Sequence, residues 1–326
     1  MKVLIADNLS NMGVDILKKA SGIEVDVNVG LTKEELIKII PSYEGLIVRS
    51  ATKVTLDVIE AATNLKVIGR AGIGVDNIDV AAAGKKGIIV MNTPEGNIIT
   101  TAEHTMALML SMSRNIPQAR SMLKDQKIWA PKKFMGKELH SKTLGIVGLG
   151  RIGTIVAERA KGFYMKILVH DPFISKEHAE KIGVEVAELS DLLKRSDYIS
   201  LHTPSLDGKP LLSTKEFNLA KPGIRIVNCA RGNLIDDDAL IEAIKSKQVA
   251  QAALDVYAKE PLAMDSPLLT MDEIICTPHL GASTEEAQEK VAIDVANQII
   301  DFLTHGNVRN AINMPSIDAD SMNKIK

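Results

Sequence analysis

Thr143-Leu-Gly-Ile-Val-Gly-Leu-Gly-Arg-Ile-Gly153, continuing as Thr154-Ile-Val-Ala-Glu-Arg-Ala-Lys161, carries the strongest structural signal in the chain. Leu144–Val147 is a short apolar run of the kind that forms a buried strand, and Ile155 to Lys161 has a helical pattern. Between them stand Gly148, Gly150 and Gly153. G-x-G-x-x-G alone is a weak motif, but with a strand before it and a helix after it the reading is a dinucleotide-binding turn. The three glycines differ in what they permit. Gly148 allows the tight turn, Gly150 lets backbone approach a pyrophosphate, and Gly153 lets helix and strand pack closely. The helix N-terminus then offers unpaired N–H groups and a favourable dipole to the phosphates.

Working outward, Asp171 lies 18 residues beyond Gly153, at the end of the next apolar run, Ile167–Val169. That is the place of the acid that accepts a ribose 2′-hydroxyl. A 2′-phosphate would meet carboxylate repulsion there, and Pro172-Phe173-Ile174 supplies no arginine to offset it, so NAD is expected over NADP.

The same alternation of strand-like and helical runs extends over the chain in two series, which implies parallel sheets covered by helices. The first comprises Lys2–Ala6, Glu24–Val27, Gly45–Val48, Lys66–Ile68 and Ile88–Val90. The second comprises Thr143–Val147, Lys166–Val169, Tyr198–Leu201, Arg225–Val227, Ala250–Leu254 and Glu273–Cys276. Thr100 to Lys124 reads as a linker helix broken only by Pro117, and Ser283-Thr-Glu-Glu286 as a capping box opening a helix towards His305. If Val308 to Met314 packs back on the first unit, that unit is discontinuous. The expectation is an α/β chain of two domains: 1–98 with 286–326, and 99–285.

Bulk properties narrow the function. With 326 residues, 45% hydrophobic and 25% charged, the chain should build two globular cores. A net charge of −2 leaves no cationic excess for a nucleic-acid duplex. The N-terminal apolar run, Val3 to Ala6, is too short for a signal peptide or membrane span, so a cytoplasmic protein is expected. Cys229 and Cys276, the two cysteines, have no metal-ligand spacing, and no metal is expected.

Three polar residues follow strands of the second series. Arg231 comes after Ile224–Ala230, Glu260 sits in Tyr257-Ala-Lys-Glu-Pro261, and His279 sits in Thr277-Pro-His-Leu-Gly-Ala-Ser283. Ligands bind at the C-terminal edge of such sheets, and three loops at one edge can converge. Oxidising a hydroxy acid needs a base, a cation for the carboxylate, and a hydride acceptor close by. Of the seven histidines, His279 alone stands between a strand end and a glycine-bearing loop ahead of a capped helix; His104, in a helical run, reads as an ordinary residue.

In these and other stretches the chain resembles the D-2-hydroxyacid dehydrogenase family, most closely its phosphoglycerate dehydrogenase branch. The likeness rests on Gly45-Leu-Ile-Val-Arg-Ser-Ala-Thr-Lys-Val54, Gly69-Arg-Ala-Gly-Ile-Gly-Val-Asp-Asn77, Met91-Asn-Thr-Pro94 with Asn97, Gly148 to Gly153, Asn228-Cys-Ala-Arg-Gly232, Ala253-Leu-Asp-Val256, Glu260-Pro261 and Pro278-His-Leu-Gly-Ala-Ser283. It implies two Rossmann-like and flavodoxin-like domains with an active-site cleft between them, in a short form without a C-terminal regulatory domain. By the resemblance His279 is the acid/base, Glu260 hydrogen-bonds it, and Arg231 orients the substrate. Arg151 and Ile152 fall on the pyrophosphate, Thr203 near the cofactor and Asp255 near the nicotinamide amide, with Cys229 and Ala230 along that wall and Gly281 and Ala282 beside it. Arg49, Ser50, Arg70, Gly72, Ile73, Gly74 and Asn97 form the substrate-facing set, with Arg49 and Arg70 supplying cations for a phosphate and backbone N–H groups of Gly72 to Gly74 cradling a carboxylate. The implied reaction is NAD-dependent oxidation of 3-phosphoglycerate in serine biosynthesis, by a homodimer. Two alternatives stand beside it: a glyoxylate or hydroxypyruvate reductase of the same family, and an NADH-sensing, corepressor-like binding protein.

Overall fold

The computed structural model describes residues 1–205 and 208–314. Among the described residues the chain forms two compact units, Met1–Asn97 with the segment from Ser283 onward, and Ile98–Ala282. The expected reach of the first unit to residue 326 lies outside the described residues beyond 314. The junctions fall at 97/98 and 282/283 rather than 98/99 and 285/286, because the linker helix begins at Ile98 and the last helix is capped by Thr284.

The first unit opens with β1 (Lys2–Ile5), α1 (Asn11–Lys19), β2 (Glu24–Val27), α2 (Lys33–Ile39), β3 (Gly45–Val48), α3 (Leu56–Ala61), β4 (Val67–Arg70), α4 (Val80–Lys85) and β5 (Ile89–Asn92). The strands pair in parallel in the order β2-β1-β3-β4-β5. Leu4, Leu46, Ile68 and Val90 pack on one face with Leu36, Val58 and Ile59, while Val3, Ile5, Ile47, Val67 and Met91 pack on the other. Alternate residues thus go to opposite faces, and because helices cover both, the central strands read as unbroken apolar runs.

The second unit comprises α5 (Ile98–Ser113), α6 (Ile116–Lys124), β6 (Thr143–Val147), α7 (Arg151–Gly162), β7 (Lys166–His170), α8 (Lys176–Lys181), β8 (Glu185–Val186), α9 (Leu189–Arg195), β9 (Tyr198–Leu201), α10 (Thr214–Leu219), β10 (Ile224–Asn228), α11 (Asp237–Lys245), β11 (Val249–Leu254) and β12 (Ile274–Cys276). Its parallel sheet runs β12-β11-β10-β9-β6-β7-β8, so the strand order reverses between β6 and β9. That reversal opens a crevice beyond the strands' C-terminal ends. Two features differ from the sequence reading. The expected linker helix is two helices, because Asn115 takes a left-handed conformation (φ 51°) and Pro117 stands in the first turn of α6. The two-residue edge strand β8 carries too short a pattern to be read.

The chain returns to the first unit in α12 (Glu285–His305), whose Val291, Ala292, Val295, Ala296 and Ile299 are buried on that unit's sheet. Its N-cap is Thr284, accepting from the Ala287 N–H at 3.3 Å, rather than the expected Ser283. Gly306 ends it in the left-handed conformation (φ 74°) that favours glycine. The tail then lies along β5: Ile312 N–H donates to Val90 O at 2.8 Å, and the Asn313 amide bonds both Val90 N–H and Ile88 O.

Candidate active site

The glycine turn follows β6. Gly148 has φ 91°, and a Cβ there would stand 2.7 Å from His202 O, so the loop after β6 is held against the loop after β9. A Cβ on Gly153 would run into Gly148 O, which is the close strand-helix approach the motif requires. A Cβ on Gly150 would meet nothing within 4 Å. Open space beside Gly150 and an α7 N-terminus that no side chain caps together fit a pyrophosphate. Arg151 and Ile152 are the first residues of α7.

Asp171, just past β7, is half-buried and accepts from Leu149 N–H at 2.7 Å and Phe173 N–H at 2.9 Å. One carboxylate therefore ties the glycine turn to the end of β7, at the place expected of a ribose-binding acid. Thr203 is half-buried beyond β9. The turn after β10 is shaped by Asn228, fully buried, whose amide donates to Arg231 O at 2.8 Å and accepts from Ala230 N–H at 3.0 Å. This fixes Cys229, Ala230 and Arg231 as a unit. Burial pushes the Cys229 thiol up to about 12, so it stays protonated at neutral pH. A Cβ on Gly232 would strike the Tyr257 backbone, so the loops after β10 and β11 abut.

The loop after β11 carries Glu260, whose Oε1 accepts from Tyr257 N–H at 3.0 Å and whose Oε2 lies 2.7 Å from His279 Nδ1. His279 follows β12 in a left-handed conformation (φ 55°), its imidazole half-exposed. Since a carboxylate only accepts, Nδ1 carries a hydrogen, and the neutral imidazole then has its lone pair on Nε2. Asp255, 0% exposed, sits beneath this loop. Its Oδ1 accepts from Thr277 Oγ1 at 2.6 Å and Leu280 N–H at 2.7 Å, its Oδ2 from Gly281 N–H at 2.8 Å, and His104 Nε2 stands 3.1 Å from Oδ1. Burial alone would raise this carboxyl, but the bonds from His104, Thr277 and Leu280 hold it below the usual carboxylate range. Gly281 is buried beside it and Ala282 ends the unit.

His104, Cys229 and Asp255 bring one nitrogen, one sulfur and one oxygen within 4.8 Å of one another, a spacing that suits a metal ion. In this structure the Asp255 oxygens of that cluster are taken up by hydrogen bonds from Thr277, Leu280 and Gly281. The cluster is a hydrogen-bonded support for the loop above it.

In the first unit, the expected substrate-facing residues gather at the C-terminal edge of the smaller sheet. Arg49 and Ser50 follow β3, and Arg70 ends β4. Asp7, 4% exposed, holds the Arg49 turn by accepting from Arg49 N–H at 2.6 Å and Thr52 Oγ1 at 2.7 Å, and Asn77 donates to Arg49 O at 2.8 Å. An open cavity of about 550 Å³ is lined by Ser10, Arg49 and residues 283–285, 288 and 289. In the loop Gly72 to Gly74, one N–H of the expected cradle is engaged, Gly72 N–H donating to Thr93 Oγ1 at 2.7 Å, while the Ile73 carbonyl is held by the Asn92 amide at 2.6 Å. Asn97 is the last residue of this stretch. Asp7, Asn92 and Thr93, like His104, carry the geometry through bonds to groups distant in sequence, which no local pattern announces.

Residues 106–281, more than half of the chain, match the family model of the D-isomer specific 2-hydroxyacid dehydrogenase, NAD binding domain. The chain belongs to that family. The family's NAD-binding domain therefore coincides with the unit that holds the glycine turn, Asp171 and the histidine loop. The D-3-phosphoglycerate dehydrogenase of Archaeoglobus fulgidus is 50% identical over 319 residues, 98% of this chain and 60% of that protein. The chain spans about three fifths of the length of the curated relatives it matches. Among solved structures of the family's fold, the TT0316 protein of Thermus thermophilus is 33% identical with a TM-score of 0.88, covering 96% of this chain and 100% of that one. The Aquifex aeolicus D-lactate dehydrogenase complexed with NAD and lactic acid is 26% identical with a TM-score of 0.83, covering 96% and 100%.

Proposed function

We propose that the chain oxidises 3-phospho-D-glycerate to 3-phosphohydroxypyruvate with NAD. The observation that carries the reading is the 2.7 Å bond between His279 Nδ1 and Glu260 Oε2, on loops at the C-terminal edge of a dinucleotide-binding sheet. In this reading His279 Nε2 takes the hydroxyl proton as the carbonyl forms. NAD, when bound, accepts the hydride released from the same carbon. Glu260 keeps the imidazole in the tautomer that has Nε2 free and faces the positive charge it gains. Arg231 orients the carboxylate and carbonyl, and Asp171, with no cation beside it in Pro172-Phe173-Ile174, selects NAD over NADP.

The phosphate is assigned to Arg49 and Arg70, fixed cations at adjacent strand ends. The curated relatives at 46–51% identity carry the phosphoglycerate dehydrogenase name, which supports this substrate over glyoxylate or hydroxypyruvate. The setting is the serine-forming pathway in the cytoplasm; no helix among the described residues is long and apolar enough to cross a membrane. The working form is a homodimer, in keeping with the apolar side chains exposed along residues 116–135. His279→Ala should lower kcat by about 10² to 10⁴-fold, with the NADH dissociation constant measured by fluorescence titration nearly unchanged. Wild-type turnover in that variant would remove His279 from the chemistry.

A further inference from the structure

One face of α5 grips the loop that carries His279. Thr101, His104 and Thr105 share that face by their i, i+3 and i+4 spacing. Thr101 Oγ1 donates to Gly281 O at 2.9 Å. His104 Nε2 stands 3.1 Å from Asp255 Oδ1 and 3.4 Å from Thr277 Oγ1. Asp255 in turn accepts from the N–H groups of Leu280 and Gly281, the two residues after His279.

A carboxylate with 0% exposure is sustained only by the donors around it, and losing one leaves charge uncompensated in a low-dielectric interior. Three of those donors, the Thr277 hydroxyl and the two amides, belong to the loop itself. His104 comes from outside the loop, on a helix whose Ala102, Met106, Met109 and Met112 are fixed in the core of the unit. Its Nε2 must carry hydrogen, because its partner oxygen only accepts. The rigid helix thereby anchors the carboxylate, and the carboxylate anchors the loop.

We infer that His104 is a positioning residue for hydride transfer: acting through Asp255, it fixes the Thr277–Gly281 loop and so the aim of the His279 imidazole. The inference rests on the reading of His279 as the base. His104 touches neither the reacting carbon nor the proton. Its effect is on how often His279 Nε2 is aligned, and misplacement of order 1 Å costs about 10²-fold in rate.

The test compares His104→Leu with His104→Gln, whose amide Nε2 can restore a donor to Asp255. Hydrogen exchange of the peptide spanning 277–282 is followed by mass spectrometry, together with kcat for the hydroxy acid, the NADH dissociation constant and Tm. His104→Leu should speed exchange at Leu280 and Gly281 about tenfold and lower kcat about 10- to 100-fold, with NADH affinity within about threefold of wild type. His104→Gln should recover most of both losses. Unchanged exchange and kcat in His104→Leu would overturn the inference, as would a His104→Gln protein as impaired as His104→Leu, which marks a bulk packing role. If the wild-type protein oxidises no 2-hydroxy acid, the reading of His279 fails, while the exchange comparison still decides whether His104 holds the loop.

Discussion

His202 lies where β9 ends, its Nε2 2.8 Å from Ser200 Oγ and its carbonyl against Gly148. Burial pushes its pKa down to about 4, so the folded protein keeps it neutral where the unfolded chain begins to charge it. The depressed value sets the sign. Its contribution to stability is intact above the unfolded pKa of about 6.5, declines as pH falls through that value, and is lost by about 4. His202→Gln keeps an amide for Ser200 without a titrating group. Urea unfolding between pH 7 and pH 4 should therefore show a shallower acid loss in the variant than in wild type; parallel curves would assign the acid sensitivity elsewhere. His279 shows a second residue-scale effect. Its φ of 55° is one that only glycine adopts without a penalty of about 1–2 kcal/mol, and the Asp255 bonds to Leu280 and Gly281 hold it there. The sequence displayed His279, Glu260 and Arg231 because each follows a strand. Asp7 and His104 stayed hidden as supports because their partners, at residues 49, 52, 255 and 277, are linked to them by no local pattern.

At the scale of elements, the glycine turn separates binding from folding within six residues. Gly150 faces open space and Gly153 faces the Gly148 carbonyl oxygen. Gly150→Val should thus leave Tm close to wild type while weakening NADH binding by at least about tenfold, because the branched side chain fills the approach to the α7 N-terminus. Gly153→Val should instead lower Tm by forcing α7 from β6. Calorimetry and NADH titration on the pair check the division; a stable Gly153→Val protein, or Gly150→Val with full affinity, would contradict it. Strand, turn and helix were legible here since the apolar period changes from strand to helix across a glycine motif. The break between α5 and α6 was less so: Pro117 was visible, but it fits the first turn of a helix, and the left-handed Asn115 just ahead of it decides the break. The N-cap fell one residue later than the pattern implied, at Thr284, and because Ala287 then occupies the third helical position no reciprocal capping box forms.

At the scale of the whole molecule, the chain presents Ile116, Leu123, Ile128, Trp129 and Met135 within twenty residues, with Trp129 80% and Met135 83% exposed, and α6 buries none of its residues. So much apolar surface in one stretch asks for a covering partner, which the homodimer proposal supplies. Sedimentation velocity should give twice the chain mass for wild type and a shift to the single chain for Leu123→Asp/Trp129→Asp; a wild-type monomer would contradict the proposal. Two parallel-sheet units were legible from two series of strand-like runs. The substrate was not legible from strand spacing, because in the proposed reading phosphate selection rests on where Arg49 and Arg70 direct their charge. Steady-state oxidation by NAD of a panel of 3-phosphoglycerate, glycerate, D-lactate and glycolate bears on the central claim most directly. The account predicts kcat/KM for 3-phosphoglycerate at least about 100-fold above the others, as the loss of a paired phosphate implies; parity between phosphoglycerate and glycerate, or no oxidation of any of the four, would contradict it.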